Sequence, residues 1–138
     1  MTLYLDSSAI IKLYIDEPES ADVRAQVKAS DVIAASMVAY AEVRAAIARL
    51  RRERRLSRSA AAACVDQFNR DWHTFMTFDV SDALTHEAGA LADRFDLRGF
   101  DAIHLATFAR ILERTDDDLE FVAFDQRLKN AARRLGDE

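Results

Sequence analysis

Cysteine occurs once in the 138 residues, proline once and glycine three times. The lone Cys64 excludes an intrachain disulfide, and nothing in the chain asks for an oxidising compartment. So little Pro and Gly leaves few natural breakpoints, which points to helices joined by short connections. No apolar run approaches the roughly 20 residues that span a bilayer, and no leader-like stretch precedes the first apolar run. A cytoplasmic protein with no membrane segment is expected. Excess positive charge is also missing: the net charge is −5, which does not advertise a nucleic-acid binder. The chain has no GxxxxGK[ST], GxGxxG or GxSxG, so nucleotide-triphosphate, dinucleotide and serine-hydrolase readings lack support. His73, His86 and His104 form no HxH or HxxxH pair, and Cys64 has no partner at metal-binding spacing, which argues against zinc.

What is present suits one domain, residues 1–138, with one core. Half of the residues are hydrophobic and 31% are charged, the balance of a globular chain. Apolar runs at about 2–5, 31–35, 75–79 and 121–124 read as short strands. Helical spacing fills the intervals, at about 7–14, 18–29, 37–55, 58–72, 82–95, 100–113 and 126–136. Strands alternating with helices predict a parallel sheet covered on both faces, an α/β fold. Ser36 reads as the cap of the first long helix and Ser57 as that of the second. These two should form a helical hairpin at about 36–73. Its basic stretch holds Arg44, Arg49, Arg51, Arg52, Arg54, Arg55 and Arg58, opposed only by Glu53. That stretch suits phosphate contacts, an acidic partner or simply a solvated face.

Acids punctuate the strand ends. Leu3-Tyr4-Leu5 leads into Asp6, and Val122-Ala123-Phe124 leads into Asp125. Parallel strands place such ends along one edge of the sheet, where ligands bind. Each Asp also suits the N-cap of the helix that follows it. Asp79 ends a strand as well, but Val80-Ser81 makes it a turn residue. On a helical wheel Asp101 falls between Leu105, Phe108 and Leu112, so its carboxylate should be partly buried, where an unpaired charge is costly. The helix dipole explains an acid in the first turn but less well one on the apolar arc, so a functional role is favoured for Asp101. Glu42 flanks the apolar arc of Met37, Tyr40, Val43, Ile47 and Leu50, with no basic residue at i±3 or i±4. If Asp6, Glu42, Asp101 and Asp125 share a pocket, their mutual repulsion calls for cations, and all-oxygen donors select Mg²⁺ or Mn²⁺. Such ions support in-line displacement at phosphorus without a covalent nucleophile.

Four stretches carry a family resemblance. They are Leu5-Asp6-Ser7-Ser8-Ala9-Ile10, Ala39-Tyr40-Ala41-Glu42-Val43-Arg44, Leu97 to Ala106 with Gly99-Phe100-Asp101-Ala102-Ile103-His104 at its centre, and Phe124-Asp125-Gln126-Arg127-Leu128 followed by Ala131-Ala132. In this order and spacing the chain resembles PIN-domain ribonucleases, specifically the VapC-type toxins of type II toxin–antitoxin modules. The resemblance covers nearly the whole chain. It implies a Rossmann-like α/β/α sandwich with a central parallel sheet and a metal-dependent endoribonuclease activity. It further implies that Asp6, Glu42, Asp101 and Asp125 are catalytic and hold Mg²⁺ (or Mn²⁺), with Ser7 or Ser8 supporting them. RNA substrate, a cognate antitoxin and a homodimer are the implied partners. Arg44, Arg49, Arg52 and Arg55 would then meet RNA or antitoxin. Two alternatives remain at this point. One is another metal-dependent phosphoryl hydrolase such as a DNA nuclease, although Asp6-Ser7-Ser8 lacks the second Asp of an aspartyl-phosphate phosphatase. The other is a non-catalytic RNA- or partner-binding domain, for which a crowded anionic pocket has no use.

Overall fold

The computed structural model describes residues 1–138 as four strands and seven helices. In chain order they are β1 (Thr2–Leu5), α1 (Ser7–Ile11), α2 (Ser20–Ala29), β2 (Val32–Ser36), α3 (Val38–Arg52), α4 (Arg58–Trp72), β3 (Met76–Phe78), α5 (Asp82–Phe95), α6 (Gly99–Arg114), β4 (Leu119–Val122) and α7 (Gln126–Gly136). The strands lie in the order β3-β2-β1-β4, and all pairings are parallel.

β1 is central and buried along its length. Successive side chains on a strand point to opposite faces, and β1 uses both. Leu3 and Leu5 pack with Ala9, Ile10, Val43 and Phe68, from the layer of α1 to α4. Tyr4 faces the other way and packs with Leu105, Phe108 and Leu128, from α6 and α7. The α5–α6 contact adds Leu84, Ala88, Ala102 and Ala106. The result is an α/β/α sandwich. Fully burying each of Leu3 and Leu5 is worth about 1.5–3 kcal/mol, and with Tyr4 buried on the opposite face β1 anchors both layers. α3 and α4 pack against each other around Phe68, whose ring stacks on Tyr40 at 5.3 Å and meets Trp72 edge-on. None of the helices is long and apolar enough to cross a membrane.

Two local expectations are corrected. The fourth strand runs from Leu119 to Val122, not over 121–124. β1 ends at Leu5, which pairs with Val122, so Ala123 and Phe124 have no neighbour to bond. The polar start, with Glu120 exposed on the sheet edge, hid the true frame. Asp125 therefore stands three residues beyond its strand, whereas Asp6 directly follows Leu5. Ser36 is the last residue of β2, and Met37 opens α3 without a side-chain cap. The Ser36 hydroxyl still accepts from the Val38 N–H at 3.2 Å.

Candidate active site

Asp6 leaves the central strand and caps α1. Its Oδ1 accepts from the Ala9 N–H at 2.9 Å and from the Ser8 hydroxyl at 2.7 Å. The residue is only 4% exposed. Burial pushes its carboxyl above the ordinary value, the Ser8 bond and His104 hold part of that back, and the Asp101 charge adds to the rise. The cap therefore occupies one oxygen, and Oδ2 accepts no hydrogen bond from the protein.

Glu42, in the second turn of α3, reaches across to α1 and α6. Its Oε1 accepts from the Ser7 hydroxyl at 2.5 Å and faces His104 Nε2 at 2.9 Å. Burial works to raise this carboxyl, but the hydrogen bonds from His104 and Ser7 outweigh it and hold Glu42 below the usual range. Adjacent serines thus serve different acids, Ser8 holding Asp6 and Ser7 holding Glu42.

Asp101 sits in the first turn of α6, with its side chain 17% exposed. The expected apolar surroundings are there, with Leu105 and Phe108 of the same helix buried, but the charge is not isolated. Arg98, the N-cap residue of α6, donates from Nε to Asp101 Oδ2 at 3.1 Å. The same guanidinium lies 3.7 Å from Asp125 Oδ2. Asp125 caps α7 by accepting from the Leu128 N–H at 3.0 Å, and its side chain is 42% exposed. Capping leaves one oxygen open at Asp6, whereas at Asp125 the second oxygen faces Arg98.

Asp101 and Arg98 border two cavities. One, of about 640 Å³, runs between α5 and the start of α6 and includes Glu42, Gly89 and Phe100. The other, of about 500 Å³, includes Asp125, Gln126 and Arg127. Glu42 borders the first cavity and Asp125 the second, and Asp101 borders both. No three of the carboxylate and imidazole groups converge closely enough to form a ready ion cage. The chemistry of the donors still fits a hard cation: each of the four acids has one oxygen engaged by the protein and one that accepts no protein hydrogen bond.

The basic stretch is elsewhere. Arg44 donates to the Tyr40 hydroxyl at 2.7 Å, and Arg49 pairs with Glu53 at 3.0 Å. Arg52 and Arg55 are exposed. Arg52 stands ten positions from Glu42, about 15 Å along the helix axis, and none of these arginines is bonded to one of the four acids.

Sequence reasoning left Arg98 and His104 out of the site. A helical signal could have found them: both lie three residues from Asp101, on its side of α6. The contact of His104 with Glu42 spans 62 positions and has no local signature.

A parallel sheet with helices on both faces and acids beyond the carboxyl ends of its strands is the layout of a PIN domain. Comparison with known proteins agrees. The PIN domain family matches residues 3–134. Ribonuclease VapC45 of Mycobacterium tuberculosis is 32% identical over 134 residues, covering 97% of this chain and 91% of the relative. Ribonuclease VapC46 of the same species is 35% identical over 135 residues, covering 97% and 92%. Among solved structures, M. tuberculosis VapC20, a Sarcin-Ricin loop cleaving toxin, aligns with a TM-score of 0.68 at 19% identity, over 94% of each chain. FitAcB from Neisseria gonorrhoeae aligns with a TM-score of 0.65 at 18% identity, over 95% of this chain and 93% of that one. The chain belongs to the PIN-domain family, within its VapC group.

Proposed function

We propose that this protein is a Mg²⁺- or Mn²⁺-dependent endoribonuclease, the toxin of a toxin–antitoxin pair, working in the cytoplasm as a homodimer of single-domain, 138-residue chains. The observation that carries the reading is the state of four acids in a chain related to VapC ribonucleases. Asp6, Glu42 and Asp101 each have one oxygen fixed and one without a protein donor, and Asp125 has one fixed and one that faces Arg98 at 3.7 Å. These are the residues that would hold the cation. A divalent ion there would supply charge stabilisation at the phosphodiester and lower the pKa of an attacking water. The rest falls to the protein. Ser8 and the Ala9 N–H fix Asp6, and Ser7 and His104 fix Glu42 and keep it ionised. The test is cleavage of single-stranded RNA beside single-stranded DNA, with Mg²⁺, Mn²⁺ or EDTA. Metal-dependent RNA cleavage is expected, and metal-dependent cleavage of DNA alone would replace this reading with a DNA nuclease.

Arg98 supplies the positive charge in the cation-free chain and so competes with an ion for Asp101 and Asp125. Exposed ion pairs are worth up to about 1 kcal/mol, so Arg98→Gln should tighten Mn²⁺ binding by up to about fivefold in calorimetry. Weaker binding would mean that Arg98 helps to build the site.

The hairpin arginines are the proposed contacts for RNA backbone or for an acidic antitoxin segment. Arg44 and Arg49 are engaged within the hairpin, so Arg52 and Arg55 should carry more of the effect. Changing both to Ala should weaken RNA or antitoxin binding and flatten its salt dependence, by about 0.7 in log–log slope for each lost contact to single-stranded RNA. Unchanged affinities and slopes for both partners would make the stretch a solvated face.

A further inference from the structure

His104 is 1% exposed and uses both ring nitrogens. Nδ1 lies 2.8 Å from the Tyr4 hydroxyl. Nε2 lies 2.9 Å from Glu42 Oε1 and 3.2 Å from the Ser7 hydroxyl. An ionised carboxylate only accepts, so Nε2 must carry the proton. In the neutral ring Nδ1 then presents a lone pair, and the Tyr4 O–H donates into it. Tyr4 is itself fixed. It is fully buried, its ring stacks on Phe121 at 5.2 Å, and burial raises its pKa, so the hydroxyl keeps its proton. The Ser7 hydroxyl donates to the same Glu42 oxygen. Every polar atom in this chain of contacts thus has a direction, running from the central strand through α6 to α3.

The arrangement is more specific than filling the core requires. A buried imidazole needs partners, but its partners here are a tyrosine on β1 and one particular oxygen of a partly open acid. Two donors converge on Oε1 of Glu42 and none on Oε2, and Glu42 borders the cavity it shares with Asp101. We propose that His104, held by Tyr4, is a positioning residue that fixes Glu42 through Oε1 and leaves Oε2 as the oxygen offered to a divalent cation. The inference rests on the metal-dependent reading above.

Two measurements on the full-length protein test it. In the metal-free wild type, ¹⁵N NMR of the imidazoles should show His104 protonated at Nε2. A bare Nε2 would overturn the proposal. The second measurement is Mn²⁺ affinity, read from the EPR signal of free ion. His104→Phe keeps a ring but has no donor, and should bind Mn²⁺ about 10–100-fold more weakly, the range for removing a partner that orients a ligand. His104→Gln restores an N–H near the place of Nε2 and should recover most of that loss. Tyr4→Phe leaves both rings packed and removes only the hydroxyl, so it should show a smaller loss even if His104→Phe does not fold. Unchanged affinity in Tyr4→Phe and in a folded His104→Phe, or His104→Gln as weak as His104→Phe, would overturn the proposal. A wild type that binds no Mn²⁺ would sink the metal-dependent function instead, and the tautomer would still decide whether His104 holds Glu42.

Discussion

Asp6→Asn should abolish RNA cleavage while leaving the fold intact, and EDTA should do the same to the wild type. The argument is atomic. Asn keeps an oxygen to accept from the Ala9 N–H and the Ser8 hydroxyl, the two bonds that hold Asp6 at the head of α1. What is lost is the charge, and an amide NH₂ replaces Oδ2, which can no longer meet a cation. Changes to outer partners of metal ligands alone cost about 10–100-fold, so loss of a ligand should exceed about 100-fold. Asp101→Asn should fall as far, since this residue borders both cavities. Asp125→Asn should lose less, because Asp125 is more exposed and stands farther past its strand. The check is single-turnover cleavage of a labelled RNA, with circular dichroism confirming the fold. Full activity in a folded Asp6→Asn or Asp101→Asn protein would remove the proposed site.

The sequence was most legible where chemistry is local. Leu3-Tyr4-Leu5 alternates between two cores, and only a central strand has two cores to fill. Ser57 and Ser81 cap helices through contacts three residues away, which a linear reading sees. Asp6 was visible as a strand-end acid and Asp125 as a helix cap for the same reason. The frame of β4 was not, because β1 sets it: pairing stops where Leu5 stops, not where the apolar run of β4 stops. Asp101 shows a different limit. Its helical wheel placed it correctly on an apolar arc, but a wheel begun at Phe100 leaves out Arg98, three residues before Asp101, which neutralises it from the N-cap position. Glu42 looked like a common surface glutamate beside alanines. Its two donors come from α1 and α6, and only the folded chain brings Ser7, Glu42 and His104 together.

The pairing of Asp101 with Arg98 decides which acid is costly to bury. Asp101 has Arg98 for a partner, so Asp101→Asn trades an exposed ion pair, worth up to about 1 kcal/mol, for relief of repulsion and should change stability little. Asp6 has no basic side chain bonded to it, is almost fully buried and is pushed upward in pKa by that burial. Its ionised form sits in a place that disfavours the charge. Asp6→Asn should therefore melt higher than the wild type in EDTA, by about 3 °C for each kcal/mol relieved in a domain of this size. The pH dependence follows from the direction of the shift. The folded carboxyl holds its proton to higher pH than the unfolded one does. Stability attributable to Asp6 is therefore full below the ordinary carboxyl value and is lost as pH rises through the raised folded value. The melting advantage of Asp6→Asn should grow over that window and vanish below it. Divalent ion should reverse the ranking. An ion that binds only the folded site stabilises by roughly 2.7 kcal/mol at a hundredfold excess over its dissociation constant, and Asp6→Asn has lost a ligand for it. Melting curves of the two proteins, in EDTA across pH and in Mn²⁺ at neutral pH, test both halves. If Asp6→Asn melts lower in EDTA, the charge of Asp6 contributes more as a cap on α1 than it costs by burial.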